Sequence, residues 1–264
     1  MTESDSYMLP HKRLAIFTCK GGVGKTTTAL NLGAALDQTG RPARLIDLDP
    51  QGHLSRIYGF AANRPEKSLF NFFAHATPLN FLEIPLPQTN RVLLASHGYL
   101  MKADSLLGKG PSMLQKLREG LNSCDALQAR TSLIDCCPYI GVLSLNAIFA
   151  ADAILVPVAT DYLSMQGAQQ ITRTLATLEP VLKRRIPRRY LLTRFDRRKR
   201  MCIDIRQRLH DEFGAELCQT VIRENVAIAT SPLAGTDIFK HQPLSAGATD
   251  YRQLFEELAA SEIL

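Results

Sequence analysis

The chain alternates short, wholly apolar runs with longer stretches whose apolar residues return every three to four positions. Residues 13–18 (RLAIFT), 43–48 (ARLIDL), 92–95, 132–135, 153–158 and 190–193 are runs of the first kind, and each reads as a strand buried on both faces. Residues 25–38, 112–121, 166–178, 202–213 and 249–258 carry the helical spacing. In the first of these the apolar positions are Leu30, Leu32, Ala35 and Leu36, and Gly40 stops the run; Pro180 is expected to end the helix that begins at 166. Residues 60–91 mix prolines and aromatics without a clear period. Strands alternating with helices predict an α/β fold: a doubly wound, mostly parallel sheet with helices on both faces and ligands at the carboxyl ends of the strands. Neither an internal repeat nor a low-complexity linker interrupts the pattern. Residues 13–264 therefore read as one domain behind a tail at 1–12, which is expected to be disordered.

Composition narrows the class. With 45% hydrophobic and 21% charged residues the chain has the balance of a soluble globular protein. No apolar run approaches the roughly 18–20 residues that span a bilayer, and residues 1–13 lack the apolar centre of a signal peptide. The six cysteines fall in no CxxC or zinc spacing and read as reduced thiols of a cytoplasmic protein. The net charge of +6 is local: residues 183–200 hold ten of the 31 Lys/Arg and a single acid, Asp196, leaving 21 Lys/Arg against 24 Asp/Glu elsewhere. Such clustering is the pattern of a binding patch for a polyanion.

The sharpest motif is Cys19-Lys20-Gly21-Gly22-Val23-Gly24-Lys25-Thr26-Thr27, set between an apolar strand and a helix. That setting is what a phosphate-binding P-loop requires. Glycines at 21, 22 and 24 let consecutive amides turn towards one anion, and the start of the following helix adds its positive end. Lys25 would reach the β- and γ-phosphates of ATP, and the Thr26 hydroxyl would ligate Mg²⁺. The plain GxxxxGK[ST] pattern is not met, because Cys19 stands where a glycine would and a second lysine, Lys20, follows it. Two further strands end in carboxylates. Asp47 and Asp49, two apart in an extended segment, project the same way, and Asp135 closes the run Ser132-Leu133-Ile134 as a Walker B acid does.

KGGVGKTT resembles the deviant Walker A box of the ParA/MinD family, and LIDLDPQG at 45–52 resembles that family's second box. Further likenesses are Asp135-Cys136-Cys137-Pro138 (for DCPP), Leu191–Arg198 (for LLTMYDxR), Thr220–Val226 (for TVIPRNV), 231–235 (for EAPSYG) and 245–248 (for SKGA). They run from residue 13 to about 258, loosely over 60–130. The resemblance implies a P-loop ATPase that hydrolyses ATP with Mg²⁺, weakly when alone. It implies that residues 20–27 hold the nucleotide, that Thr26, Asp47 and Asp135 serve the metal, and that Lys20, Lys25 and Asp49 are catalytic. Lys20 would reach a partner's nucleotide across an ATP-sandwiched homodimer, and Asp49 would orient the attacking water. The C-terminal likenesses favour the ParA branch, whose ATP dimers bind double-stranded DNA without sequence preference and are released by a ParB-like or cargo-adaptor protein that stimulates hydrolysis. A cytoplasmic, nucleoid-associated protein that positions a DNA or protein cargo is thereby expected.

By the same resemblance Arg198 lies on the DNA face. Arg197, Lys199, Arg200, Arg206 and Arg208 are its neighbours, and Arg223 substitutes for an arginine lost from the eroded TVIPRNV segment. Two alternatives remain open. A MinD-like membrane switch needs a basic amphipathic tail, whereas residues 250–264 carry one arginine and four acids. A metabolic ATP-dependent enzyme on the same scaffold needs a substrate pocket and often a second domain, for which the chain lacks the length; nor has it room for an N-terminal DNA-reading domain.

Overall fold

The computed structural model describes residues 11–60, 64–102 and 111–264. The tail at 1–12 lies outside them apart from His11 and Lys12. Seven strands form one sheet: β1 (Arg13–Ile16), β2 (Ala43–Asp47), β3 (Ile84–Pro85), β4 (Arg91–Leu94), β5 (Thr131–Asp135), β6 (Ala153–Ala159) and β7 (Arg188–Thr193). Their spatial order is β3-β4-β2-β5-β1-β6-β7, and every pairing is parallel except that of the two-residue edge strand β3 with β4. The doubly wound parallel sheet expected from the sequence is the one observed.

Alternation along each strand splits the core in two. Leu14 and Ile16 of β1 join one buried cluster, Ala15 and Phe17 the other; Leu45 and Ile46, and Leu133 and Ile134, divide likewise. Helix α1 (Lys25–Gln38) and the last helix, α10 (Ala246–Ala260), cover the first face, α1 with Leu30 and Leu32 and α10 with Tyr251 and Leu254. The other face is covered by α4 (Pro111–Leu127), α5 (Val142–Ala150), α6 (Tyr162–Leu182) and α7 (Arg200–Phe213). Short helices α2 (His53–Ile57), α3 (Leu69–His75), α8 (Val226–Thr230) and α9 (Ile238–His241) fill the loops. Of the stretch 60–91, the described residues from 64 to 90 form α3, two 3-10 turns and β3, each too short to show a period.

Two helices depart from expectation. α5 has no counterpart in the sequence pattern: it is apolar nearly all round and buried from Leu143 to Ala150 except at Leu145, so it has no polar face to betray a helix. α6 starts four residues earlier than expected, where Asp161 caps it by accepting from the Ser164 amide. It also runs past Pro180 to Leu182, ending at Lys183 in the left-handed conformation (φ 53°).

Candidate nucleotide site

β1 stops at Ile16 because the chain must turn over its end. Gly22 (φ 74°) and Gly24 (φ 94°) make that turn in a backbone region costly for any side chain, and Gly24 delivers the first residue of α1. A side chain at Gly21 or Gly22 would meet nothing within 4 Å, so this backbone faces open space. That space is a cavity of ≈ 570 Å³ bounded by Gly21, Gly22, Lys25 and Thr26 on one side and by Asp49, Gln51 and Pro138 on the other. Lys25 is buried and folds back to donate from Nζ to the Lys20 carbonyl at 2.9 Å. A second cavity of ≈ 290 Å³ continues from Val23 and Thr27 past Thr193, Arg194, Glu224 and Asn225. Its lining is mixed polar and apolar and comes in good part from the segments 191–198 and 220–226, the region in which the family resemblance expects the adenine without naming a residue.

Sheet register assembles the acids. Asp47 pairs with Asp135 and Asp135 with Ile16, so both carboxylates stand level with the start of the phosphate loop. Both are fully buried. Burial, with the Asp49 charge adding to it, pushes the Asp47 carboxyl up to about 7 against the pull of Ser55. Burial and then the Asp47 charge raise Asp135 well above its ordinary value, opposed by the neighbouring Thr26 and Lys25. The two differ in one respect. Asp47 accepts from the Ser55 amide and hydroxyl at 2.8 and 2.7 Å, whereas neither oxygen of Asp135 has a hydrogen-bond partner. A buried carboxylate without a partner costs several kcal/mol unless a cation meets it. A divalent ion between Thr26 and Asp135, with Asp47 behind its water shell, fits this donor set. Asp49 is nearly buried and accepts from the Gln51 amide at 2.9 Å, which bends the chain after Pro50 and turns Asp49 to the cavity wall. His53 and Arg56 border the same cavity, and no motif in the sequence singles them out.

The basic window is divided. β7, an edge strand, carries the chain from one end of the sheet to the other along the strand direction, a rise of about 20 Å over six residues. Lys183, Arg184 and Arg185 are left at the far end, and Arg194, Arg197, Arg198, Lys199 and Arg200 lie at the nucleotide end. Partners for these cations also come from beyond the window. Arg198 grips Asp196 through Nε and Nη2, both at 2.9 Å, and holds that carboxyl well below the usual range. Lys199 pairs with Glu224 at 2.9 Å, and Arg223 with Asp250 at 2.5 Å. The expectation that only Asp196 is at hand to pair with this segment misses Glu224, Glu216 and Glu179, which folding brings to Lys199, Arg185 and Arg188. Arg197, Arg200 and Arg208 have no ion pair among the described residues, and Arg206 lies over the Phe195 ring.

Residues 11–187 match the family described as an AAA domain. The chromosome-partitioning ATPase Soj of Thermus thermophilus is 36% identical over 254 residues, covering 94% of this chain and 96% of the relative. Cobyrinic acid a,c-diamide synthase of Mycobacterium smegmatis with bound ADP and magnesium superposes with a TM-score of 0.81 at 26% identity, covering 94% of each chain. The ATP complex of a Cyanothece McdA variant gives 0.84 at 20% identity, covering 96% of this chain and 97% of that one. With a P-loop, a second acidic box and a Walker B acid on one parallel sheet, and a full-length relative of this similarity, the chain belongs to the ParA/MinD family of P-loop ATPases.

Proposed function

We propose that this ParA-type ATPase closes a homodimer around ATP and Mg²⁺, binds double-stranded DNA without sequence preference as that dimer, and is released when a ParB-like or cargo-adaptor protein stimulates hydrolysis. The observation that carries the reading is Lys20. The second lysine of the loop does not border its own chain's cavity but is held aside by Asp161, so once released from that pair its charge can meet a nucleotide held by another copy. Leu233, which borders the cavity, is 88% exposed, and Ile140, two residues from the bordering Pro138, and Leu163, two residues from Asp161, are exposed as well. A second copy would cover them.

In this reading loop amides and Lys25 bind the phosphates, and Thr26, Asp135 and Asp47 hold Mg²⁺, which neutralises phosphate charge when bound. Asp49 accepts a hydrogen bond from the attacking water and aligns it, and the partner's Lys20 enters only in the closed dimer, which makes turnover slow in the single chain. Arg197, Arg200 and Arg208 supply phosphate contacts at the end where the copies would meet. α10 is packed on α1 and its end is buried through Ile263 and Leu264, so the tail is committed to the core. No helix among the described residues is long and apolar enough to cross a membrane. The burial of Ile263 and Leu264 disfavours a membrane switch, which needs an amphipathic segment free to lie on lipid. The test is binding to random-sequence duplex at two salt concentrations with ATP, ADP or no nucleotide, alongside light scattering. Salt-sensitive binding by an ATP dimer is expected; a protein that stays monomeric with ATP and ignores DNA overturns the reading.

A further inference from the structure

Asp47 and Asp49, at the end of β2, are joined directly, the Asp49 amide donating to Oδ1 of Asp47 at 3.3 Å. They are joined a second time through a pair of serines from elsewhere in the chain. Ser55, on α2, donates from both its amide (2.8 Å) and its hydroxyl (2.7 Å) to Oδ2 of Asp47. The same hydroxyl accepts from the amide of Ser96, just beyond β4, at 2.8 Å. Ser96 in turn donates its hydroxyl to the backbone carbonyl of Asp49 at 2.6 Å. The chain of bonds runs from Asp47 through Ser55 and Ser96 to Asp49, joining three segments that the sequence separates widely. Both serines are buried, and neither borders the phosphate cavity.

While Asp47 is ionised, every bond in this chain has its direction fixed. The Ser55 hydroxyl must give its proton to the Asp47 carboxylate, which leaves its lone pairs for the Ser96 amide. The Ser96 hydroxyl faces a carbonyl that can only accept. Nothing in the network can flip without leaving a buried polar group unpaired. The serines reach Asp49 only at its backbone, while its carboxylate accepts from the Gln51 amide through Oδ1 and borders the cavity. We infer that Ser55 and Ser96 are positioning residues for hydrolysis: they set the separation and aim of Asp47 and Asp49, and so the geometry in which water meets the nucleotide. This rests on the ATPase reading and on the role given there to Asp49.

Because the serines touch neither nucleotide nor water, their removal should lower turnover while sparing nucleotide affinity. Ser55→Ala and Ser96→Ala are made in the full chain, with Ser55→Thr to keep the hydroxyl. Affinity is read with a fluorescent ATP analogue, folding by thermal melting, and chemistry by single-turnover ATP hydrolysis. A misplacement of this kind costs roughly ten- to a hundredfold in rate. The expected result is that loss in each alanine variant with affinity within about threefold, recovery in Ser55→Thr, and a double alanine variant little worse than either single one, as members of one network behave. Absence of turnover in the unsubstituted protein sinks the ATPase reading and the clamp with it. Undiminished turnover in the alanine variants, losses that simply multiply, or a loss tracking only the melting temperature overturns the clamp alone.

Discussion

The ammonium of Lys20 lies 2.5 Å from Oδ1 of Asp161, the residue that also caps α6. Burial alone would raise the Asp161 carboxyl; the bonds from Lys20 and Ser164 outweigh it and hold it below its ordinary value. The pair is partly exposed, so its own contribution to stability is small. Its consequence is positional, since a lysine engaged within its own chain must be released before it can serve a second one. Asp161→Asn keeps the cap, worth about 1 kcal/mol, and removes the charge. We predict that it dimerises at lower ATP concentration than the unsubstituted protein, whereas Lys20→Ala does not form the ATP dimer at all. Light scattering across an ATP titration decides; an Asp161→Asn variant that dimerises less readily would show that the pair supports the dimer.

Asp135 gives a prediction in which stability and binding move oppositely. Its carboxylate oxygens are buried and unpartnered, so the free protein carries a penalty that a bound cation relieves. Asp135→Asn removes the charge in nearly the same volume. It should stabilise the ligand-free protein by about 1–3 kcal/mol, a rise of roughly 2–4 °C in melting temperature for each kcal/mol at this chain length. The further rise on adding Mg²⁺ and ATP should vanish. Differential scanning calorimetry with and without ligand tests both halves, and a lower melting temperature for the free variant would mean the carboxylate is satisfied in solution.

Lys25 and Asp49 separate binding from chemistry. Lys25 is buried among the loop amides, so Lys25→Ala should abolish nucleotide binding. Asp49 lines the opposite wall, and Asp49→Ala should bind ATP and dimerise yet hydrolyse at least a hundredfold more slowly, on the scale expected for a lost water-orienting group. Turnover persisting in Asp49→Ala would assign the water to another group.

Much of the site is legible in the sequence because it is built from local signals. Gly22, Gly24 and Lys25 sit in one loop whose conformation only glycine accommodates readily, and the apolar strands ending in Asp47 and Asp135 announce parallel neighbours. The contribution of Ser55 and Ser96 is hidden, since each meets its partners only after folding has joined α2 to the end of β4. The cavity beside Val23 is legible only as a region, through the likenesses at 191–198 and 220–226; its individual residues are hidden, because Thr193 and Asn225 approach Val23 only in the folded chain. α5 escapes notice because a helix buried on all sides loses its period. The basic window looks like one patch because sequence distance does not reveal that a strand carries its two halves to opposite ends of the sheet.

That division yields the last prediction. If the nucleotide end carries the DNA contacts, Arg197→Glu with Arg200→Glu should weaken duplex binding in the ATP state and lower the salt slope by about one for each phosphate that is no longer neutralised. Neither arginine has an ion pair among the described residues, so folding should be unaffected. The matching reversal at Lys183 and Arg185 should leave DNA binding nearly unchanged, although it alters net charge by the same amount. Arg223→Glu should behave differently again. It strips the partner from Asp250, which is only 3% exposed, and should destabilise the fold by about 1–3 kcal/mol. Salt-dependent binding isotherms for the two reversals, set beside melting curves for all three variants, separate local docking from net charge and from folding. Equal loss of binding from both ends would mean that the polyanion responds to overall charge and that no particular face docks it.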